Sequence, residues 1–221
     1  MTGKGQRLKH FKLLKIEDRL HQIPVPIIAI TGGIATGKST LVEYLKQKSY
    51  GVLSADELIK EIYQQVEILD QIRKKKPQAF NENGVIDFKN LRAITFNDEI
   101  FKHELEQLLY SKLPVVFWDS FRKLEPVSYV FYEVPLLFEK NLQSKVDLII
   151  LLHTKKDIQL ERLSKRDSSS LEVNQKILNS QMPFENKKDL AHFILENNTD
   201  NRSLIIQADE MIKNLSILFK P

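Results

Sequence analysis

The chain has 221 residues, of which 42% are apolar and 28% charged, with a net charge of +4 and no cysteine. That length suffices for one sizeable core, alone or with an inserted subdomain, and the missing cysteines exclude a disulfide framework and a cysteine-ligated zinc site. The longest apolar run, Leu148–Leu152, is too short to span a bilayer, so a soluble protein of a reducing cytosol is expected, with a charge balance that suits polyanionic ligands.

Residues 1–26 carry Lys4, Arg7, Lys9, Lys12, Lys15 and Arg19 against Glu17 and Asp18. They have neither the apolar core of a secretory signal nor the acid-poor, Arg- and Ser-rich composition of a transit peptide. They read as a short amphipathic or partly disordered basic extension, ended by Pro24 and Pro26. Its removal is expected to leave the function of the remaining chain intact.

Ile27–Ile30, closed by Thr31-Gly32-Gly33, reads as a buried strand. Lys38–Gln47 turns helical, with Leu41, Val42 and Leu45 on one face. Gly51–Leu53 gives a second strand and Asp56–Val66 a second helix. The stretch 58–126 reads as mainly helix, with turns at Lys74–Pro77 and Asn81–Gly84, and is taken as an insertion beside the sheet. Further strands are expected at Tyr129–Val134, Val146–Leu152 and Phe193–Leu195. Helices are expected at Lys156–Lys165, after a capping box from Ser169 to Glu172, and at Asp200–Phe219. Strands alternating with helices imply an α/β fold with a parallel sheet covered on both faces.

Gly32-Gly33-Ile34-Ala35-Thr36-Gly37-Lys38-Ser39, followed by Thr40, fits G-x-x-x-x-G-K-[ST] between a strand and a helix. In such a loop the backbone N–H groups of Gly33, Ile34, Ala35, Thr36, Gly37, Lys38, Ser39 and Thr40 can curl around phosphate oxygens, and the helix N-terminus adds positive potential. Lys38 would bridge the β- and γ-phosphates of a nucleoside triphosphate, and the Ser39 hydroxyl would ligate Mg²⁺. A glycine-rich turn without a ligand is the plain alternative, but three of the seven glycines stand in this one loop.

Other stretches follow in order. They are Ser54-Ala55-Asp56-Glu57, Val134-Pro135-Leu136-Leu137-Phe138-Glu139, Glu161-Arg162-Leu163 with Arg166-Asp167, and Gln181-Met182-Pro183. With Thr31-Gly32-Gly33 they resemble the dephospho-coenzyme A kinase family, from Ile27 to the C-terminus. The resemblance implies a three-layer P-loop kinase domain over 27–221. It would have a parallel five-stranded sheet, a helical acceptor-binding insertion at 58–126 and a lid region at 154–183. It also implies transfer of the γ-phosphoryl group of ATP to the ribose 3′-hydroxyl of dephospho-coenzyme A, the last step of coenzyme A biosynthesis, with Mg²⁺. A cytoplasmic monomer or small homo-oligomer is expected, with no membrane or nucleic-acid partner. The alternatives are a related P-loop kinase for another nucleoside or small metabolite, and a nucleotide-binding regulator without turnover.

By the same resemblance Asp56 is the catalytic carboxylate, which orients a poor sugar-hydroxyl nucleophile and accepts its proton late. Ser54 and Glu57 also satisfy a capping box around it. Arg162 and Arg166, four apart on one helix face, are the lid cations over the transferred phosphoryl group; pairing with Glu161 or Asp167 is the alternative. Glu133 is a candidate to hold a Mg²⁺-bound water, and Pro135–Phe138 a packing surface for the coenzyme. Asn198, after Asn197 and the last strand, is assigned to the adenine-facing loop. One departure stands out: the family's His-Pro pair in the insertion corresponds to Tyr110-Ser111, and His103 reads as a surface helix residue.

Overall fold

Ile27–Gly32 (β1) and Leu148–His153 (β4) are nearly unbroken aliphatic runs, and every residue of β1 is buried. That is the pattern of central strands covered on both faces. In the computed structural model, which describes residues 13–124, 126–167 and 171–219, Val52–Ser54 (β2), Val130–Glu133 (β3) and Phe193–Glu196 (β5) complete the sheet. The strand order is β2-β3-β1-β4-β5, parallel at every pairing. Lys4, Arg7, Lys9 and Lys12, and Ser169 of the expected capping box, lie outside the described residues.

Parallel neighbours require crossovers, and the helices supply them. Lys38–Gln47 (α1) follows β1, and Ala55–Ile62 (α2), Val66–Lys75 (α3), Phe88–Asn97 (α4) and Glu99–Arg122 (α5) stand between β2 and β3. Lys156–Asp167 (α6), Leu171–Asn179 (α7) and Phe184–Lys188 (α8) join β4 to β5, and Asn201–Leu218 (α9) closes the chain. The helix expected over Asp56–Val66 ends at Ile62. Gln64 and Gln65 there donate to Glu61 and Ile62, three residues back, the tightened bonds that finish a helix.

The chain forms two compact units, residues 1–55 with 124–221, and residues 56–123. In the first, Leu41, Val42 and Leu45 of α1 and Leu204, Ala208, Met211 and Leu215 of α9 share one core with Ile28, Ile30, Phe131 and Ile150 of the sheet. The second is helical, with Asp87 and Asp98 capping α4 and α5 by accepting from backbone N–H groups. No helix among the described residues is long and apolar enough to cross a membrane.

The described part of the basic segment is held to the rest of the chain by a buried ion pair. Arg19 is 5% exposed and Asp147, beside the start of β4, 4%. The Arg19 Nε and Nη2 donate to the two Asp147 oxygens at 2.7 and 2.9 Å. Its guanidinium also donates to the carbonyls of Ile23 and Leu14, while the backbone N–H groups of Leu14 and Ile27 donate to the same carboxylate. A count of charges cannot tell a solvated arginine from one whose donors are met by a fixed shell.

His21 lies in this strap, and burial pushes its imidazole down to about 4. The folded state therefore holds it neutral. The stability it contributes is complete above the unfolded value of about 6.5 and is lost as pH falls towards about 4. We expect a His21→Phe variant to show a smaller fall in urea midpoint between about pH 7 and about pH 4.5 than the parent chain, measured by urea titration at both pH values.

Candidate functional site

β1 ends at Gly32 and α1 begins at Lys38, so Gly33 to Gly37 form the turn between them. Ala35 (φ 59°) and Gly37 (φ 97°) both take left-handed backbone conformations, and such alternation turns successive N–H groups inward to make a concave seat for an anion. Gly37 is obligatory there, because a Cβ would also lie 2.3 Å from Asn197 Nδ2. It offers α1 no side-chain cap, so the first N–H groups of the helix, which have no acceptor within it, are left for a ligand. The Lys38 ammonium donates to the carbonyls of Gly32 and Gly33 at 3.0 and 2.9 Å. Ser39 is exposed and Thr40 half-buried in the first turn.

The loop is braced from distant parts of the chain. Asn197, 2% exposed, donates through Nδ2 to the Thr36 carbonyl at 3.1 Å. Arg162 of α6 donates from Nη1 to the Ala35 carbonyl at 3.3 Å and from Nη2 to the Asn197 carbonyl at 3.1 Å. The buried Thr154 hydroxyl, at the end of β4, donates to the Asn197 carbonyl at 3.1 Å. Gln159 of α6 donates to the Ile34 carbonyl, and Gln181 accepts from the Ile34 N–H. Beside this frame lies a cavity of about 470 Å³, with Gly33, Thr36, Gln159, Gln181, Met182 and Phe184 in its lining.

Further along the carboxyl edge of the sheet, Ser54 and Glu133 are in register at the ends of β2 and β3, and the Ser54 hydroxyl donates to Glu133 Oε2 at 2.7 Å. Carboxyl ends of parallel strands are where open α/β sheets bind ligands. Asp56 follows Ser54 by two residues, exposed, as the second residue of α2. Glu139, at the end of the Val134–Glu139 loop, accepts from Lys187 Nζ at 2.7 Å and from the Met182 N–H at 3.1 Å. Burial works to raise its carboxyl, but the Lys187 ammonium and the backbone donors hold it below the ordinary carboxylate range.

The structure brings Gly33, Ile34, Ala35, Thr36, Gly37, Lys38, Ser39 and Thr40 together with Arg162 in one frame. Arg166 is exposed one turn further along α6. Asn198 accepts from the Lys155 N–H at 2.8 Å and so ties the start of α6 to the loop after β5. Sequence reasoning overlooked Thr154, Gln159 and Lys187, and assigned Asn197 no part in the loop. These are polar side chains whose partners are remote in sequence, so no local pattern marks them. It also overlooked Pro114, which stands inside α5 after Leu113 and removes one rung of the helical ladder. The insertion thus keeps a proline close to Tyr110-Ser111. His103 is exposed on α5, paired with Gln107.

A family model for dephospho-CoA kinase matches residues 26–203. The curated dephospho-CoA kinase of Bartonella quintana is 34% identical over 195 residues, covering 86% of this chain and 97% of its own. That of Fusobacterium nucleatum is 29% identical over 192 residues, covering 86% and 99%. Among solved structures, a Thermus thermophilus protein aligns with a TM-score of 0.76 at 28% identity, over 86% of this chain and 98% of its own. The dephospho-CoA kinase from Campylobacter jejuni aligns with a TM-score of 0.62 at 27% identity, over 86% and 96%.

Proposed function

The chain belongs to the dephospho-CoA kinase family, and we propose on that premise that it transfers the γ-phosphoryl group of ATP to the ribose 3′-hydroxyl of dephospho-coenzyme A. The product is coenzyme A, so this is the final step of coenzyme A biosynthesis. The observation that carries the reading is the left-handed loop at Ala35 and Gly37, opening directly into α1 with Lys38 and Ser39 in its first turn. Such a seat takes the β- and γ-phosphates through backbone N–H groups, with Lys38 turning from the Gly32 and Gly33 carbonyls to the phosphate oxygens.

Asp56 orients the 3′-hydroxyl and accepts its proton as the oxygen–phosphorus bond forms and the bond to the ADP oxygen breaks. Among the described residues no three His, Asp or Glu side chains cluster to hold a metal. The single Ser39 hydroxyl suits Mg²⁺ nonetheless, because that ion keeps its waters and takes phosphate oxygens rather than an all-protein cage. Bound there, Mg²⁺ would supply neutralisation of phosphate charge, and Glu133 would orient one of its waters. Asn198 lies on the loop proposed to meet the adenine. Arg162 and Arg166 are the lid cations for the transferring phosphoryl group, and Arg162 also holds the Ala35 carbonyl. The enzyme is proposed to work in the cytoplasm as a monomer or small homo-oligomer.

A coupled ADP-release assay with Mg²⁺-ATP, run across dephospho-coenzyme A and several nucleosides, tests the reading. Acceptor-dependent ADP with dephospho-coenzyme A is expected, and none from folded protein overturns it. In the same assay Arg166→Gln is expected to lower kcat by about tenfold or more, with the ATP KM little changed, because the charge it opposes develops in the transition state.

A further inference from the structure

Two glutamines outside the phosphate loop hold its tip, and the reaction described above assigns neither a role. The Ile34 N–H donates to Gln181 Oε1 at 2.9 Å, and the Ile34 carbonyl accepts from Gln159 Nε2 at 2.7 Å. One amide is used for its oxygen and the other for its nitrogen, so the two are not interchangeable. Gln159 is only 9% exposed on α6. Gln181 lies between α7 and α8, and its neighbour Met182 donates its N–H to Glu139, which is paired with the buried Lys187.

This grip falls at a conformationally demanding point. Ala35, the next residue, holds a φ of 59° although it carries a Cβ, a state that persists only where the surroundings over-determine it. With the Ile34 N–H committed to Gln181, and the Ala35 carbonyl to Arg162, the rotation of both peptides is set before any ligand arrives. The N–H groups from Thr36 onward can then present one fixed seat, as preorganised sites require. Gly33 fits the same account, since a Cβ on it would lie 2.8 Å from Gln159 Nε2.

We propose that Gln159 and Gln181 are positioning residues that set the donor-phosphate seat through the Ile34 peptide groups, an inference that rests on the reading of this loop as the ATP site. Four variants test it: Gln159→Leu, Gln181→Met, Gly33→Ala, and Gly33→Ala combined with Gln159→Leu. Each is compared with the parent chain by Mg²⁺-ATP calorimetry, by KM for both substrates and by thermal midpoint. The single variants are expected to raise the ATP Kd and KM about tenfold. The dephospho-coenzyme A KM should stay within about twofold and the midpoints should change little. The double variant should be no weaker than Gly33→Ala alone, because both changes remove the same hydrogen bond.

An unchanged ATP Kd in folded Gln159→Leu and Gln181→Met overturns the proposal. So do equal losses for both substrates with lowered midpoints, or additive losses in the double variant. If the parent chain binds ATP but releases no ADP with dephospho-coenzyme A, the acceptor assignment fails while calorimetry still decides the role of the glutamines. A folded parent chain that binds no ATP overturns both.

Discussion

Asp56→Asn is expected to lower turnover by about a hundredfold or more while ATP affinity stays within about twofold. The carboxamide keeps the shape of the carboxylate but cannot take the proton of the attacking hydroxyl. The competing role is structural, since Asp56 and Glu57 are the acids of the first turn of α2, where negative charge favours the helix dipole. That interaction is worth about 0.3–1 kcal/mol at an exposed site, so its loss would appear in a urea titration and leave kcat alone. Steady-state kinetics paired with calorimetry separates the two. Unchanged turnover would leave Asp56 as a helix-terminus acid and move the search for the base to Glu133, whose oxygen already accepts from Ser54.

Arg19→Met should have the largest effect on stability, about 3–5 kcal/mol, because it strands the Asp147 carboxylate in the interior without a counter-charge. Both partners are almost fully buried, with side-chain exposures of 3% and 0%. The backbone N–H groups of Leu14 and Ile27 would remain on the carboxylate, and they cannot replace a bidentate guanidinium. Adding Asp147→Asn to the Arg19→Met chain should recover part of the loss, since the amide oxygen still serves those N–H groups and the orphan charge is gone. Urea titrations of the three chains check this, and a loss below about 1 kcal/mol for Arg19→Met would rank the pair with solvated surface bridges. The ATP KM of folded Arg19→Met should match the parent, because Asp147 precedes β4 whereas the phosphate loop leaves the carboxyl end of β1. A truncation after residue 26 removes Arg19 as well and is expected to destabilise the chain to a similar degree.

The contrast between these two residues shows what was legible in the chain and what was not. Asp56 stands two residues after a strand and at the head of a helix, a local setting that sequence displays. Arg19 is one of six cations in a basic run, and nothing nearby distinguishes it from Lys15. The same division holds at the phosphate loop. Gly32 to Ser39, the aliphatic runs of β1 and β4, and α1 over Lys38–Gln47 were determined by sequence alone, because a turn that needs φ above zero and a buried strand impose residue types within a few positions. Tertiary structure decided which polar groups meet. Gln159, Gln181, Arg162 and Asn197 reach the loop across 125, 147, 127 and 161 residues respectively. The partner of a buried donor or acceptor is chosen by the crossovers of the sheet, which apolar periodicity reports only as strand and helix and never as a pair of polar atoms.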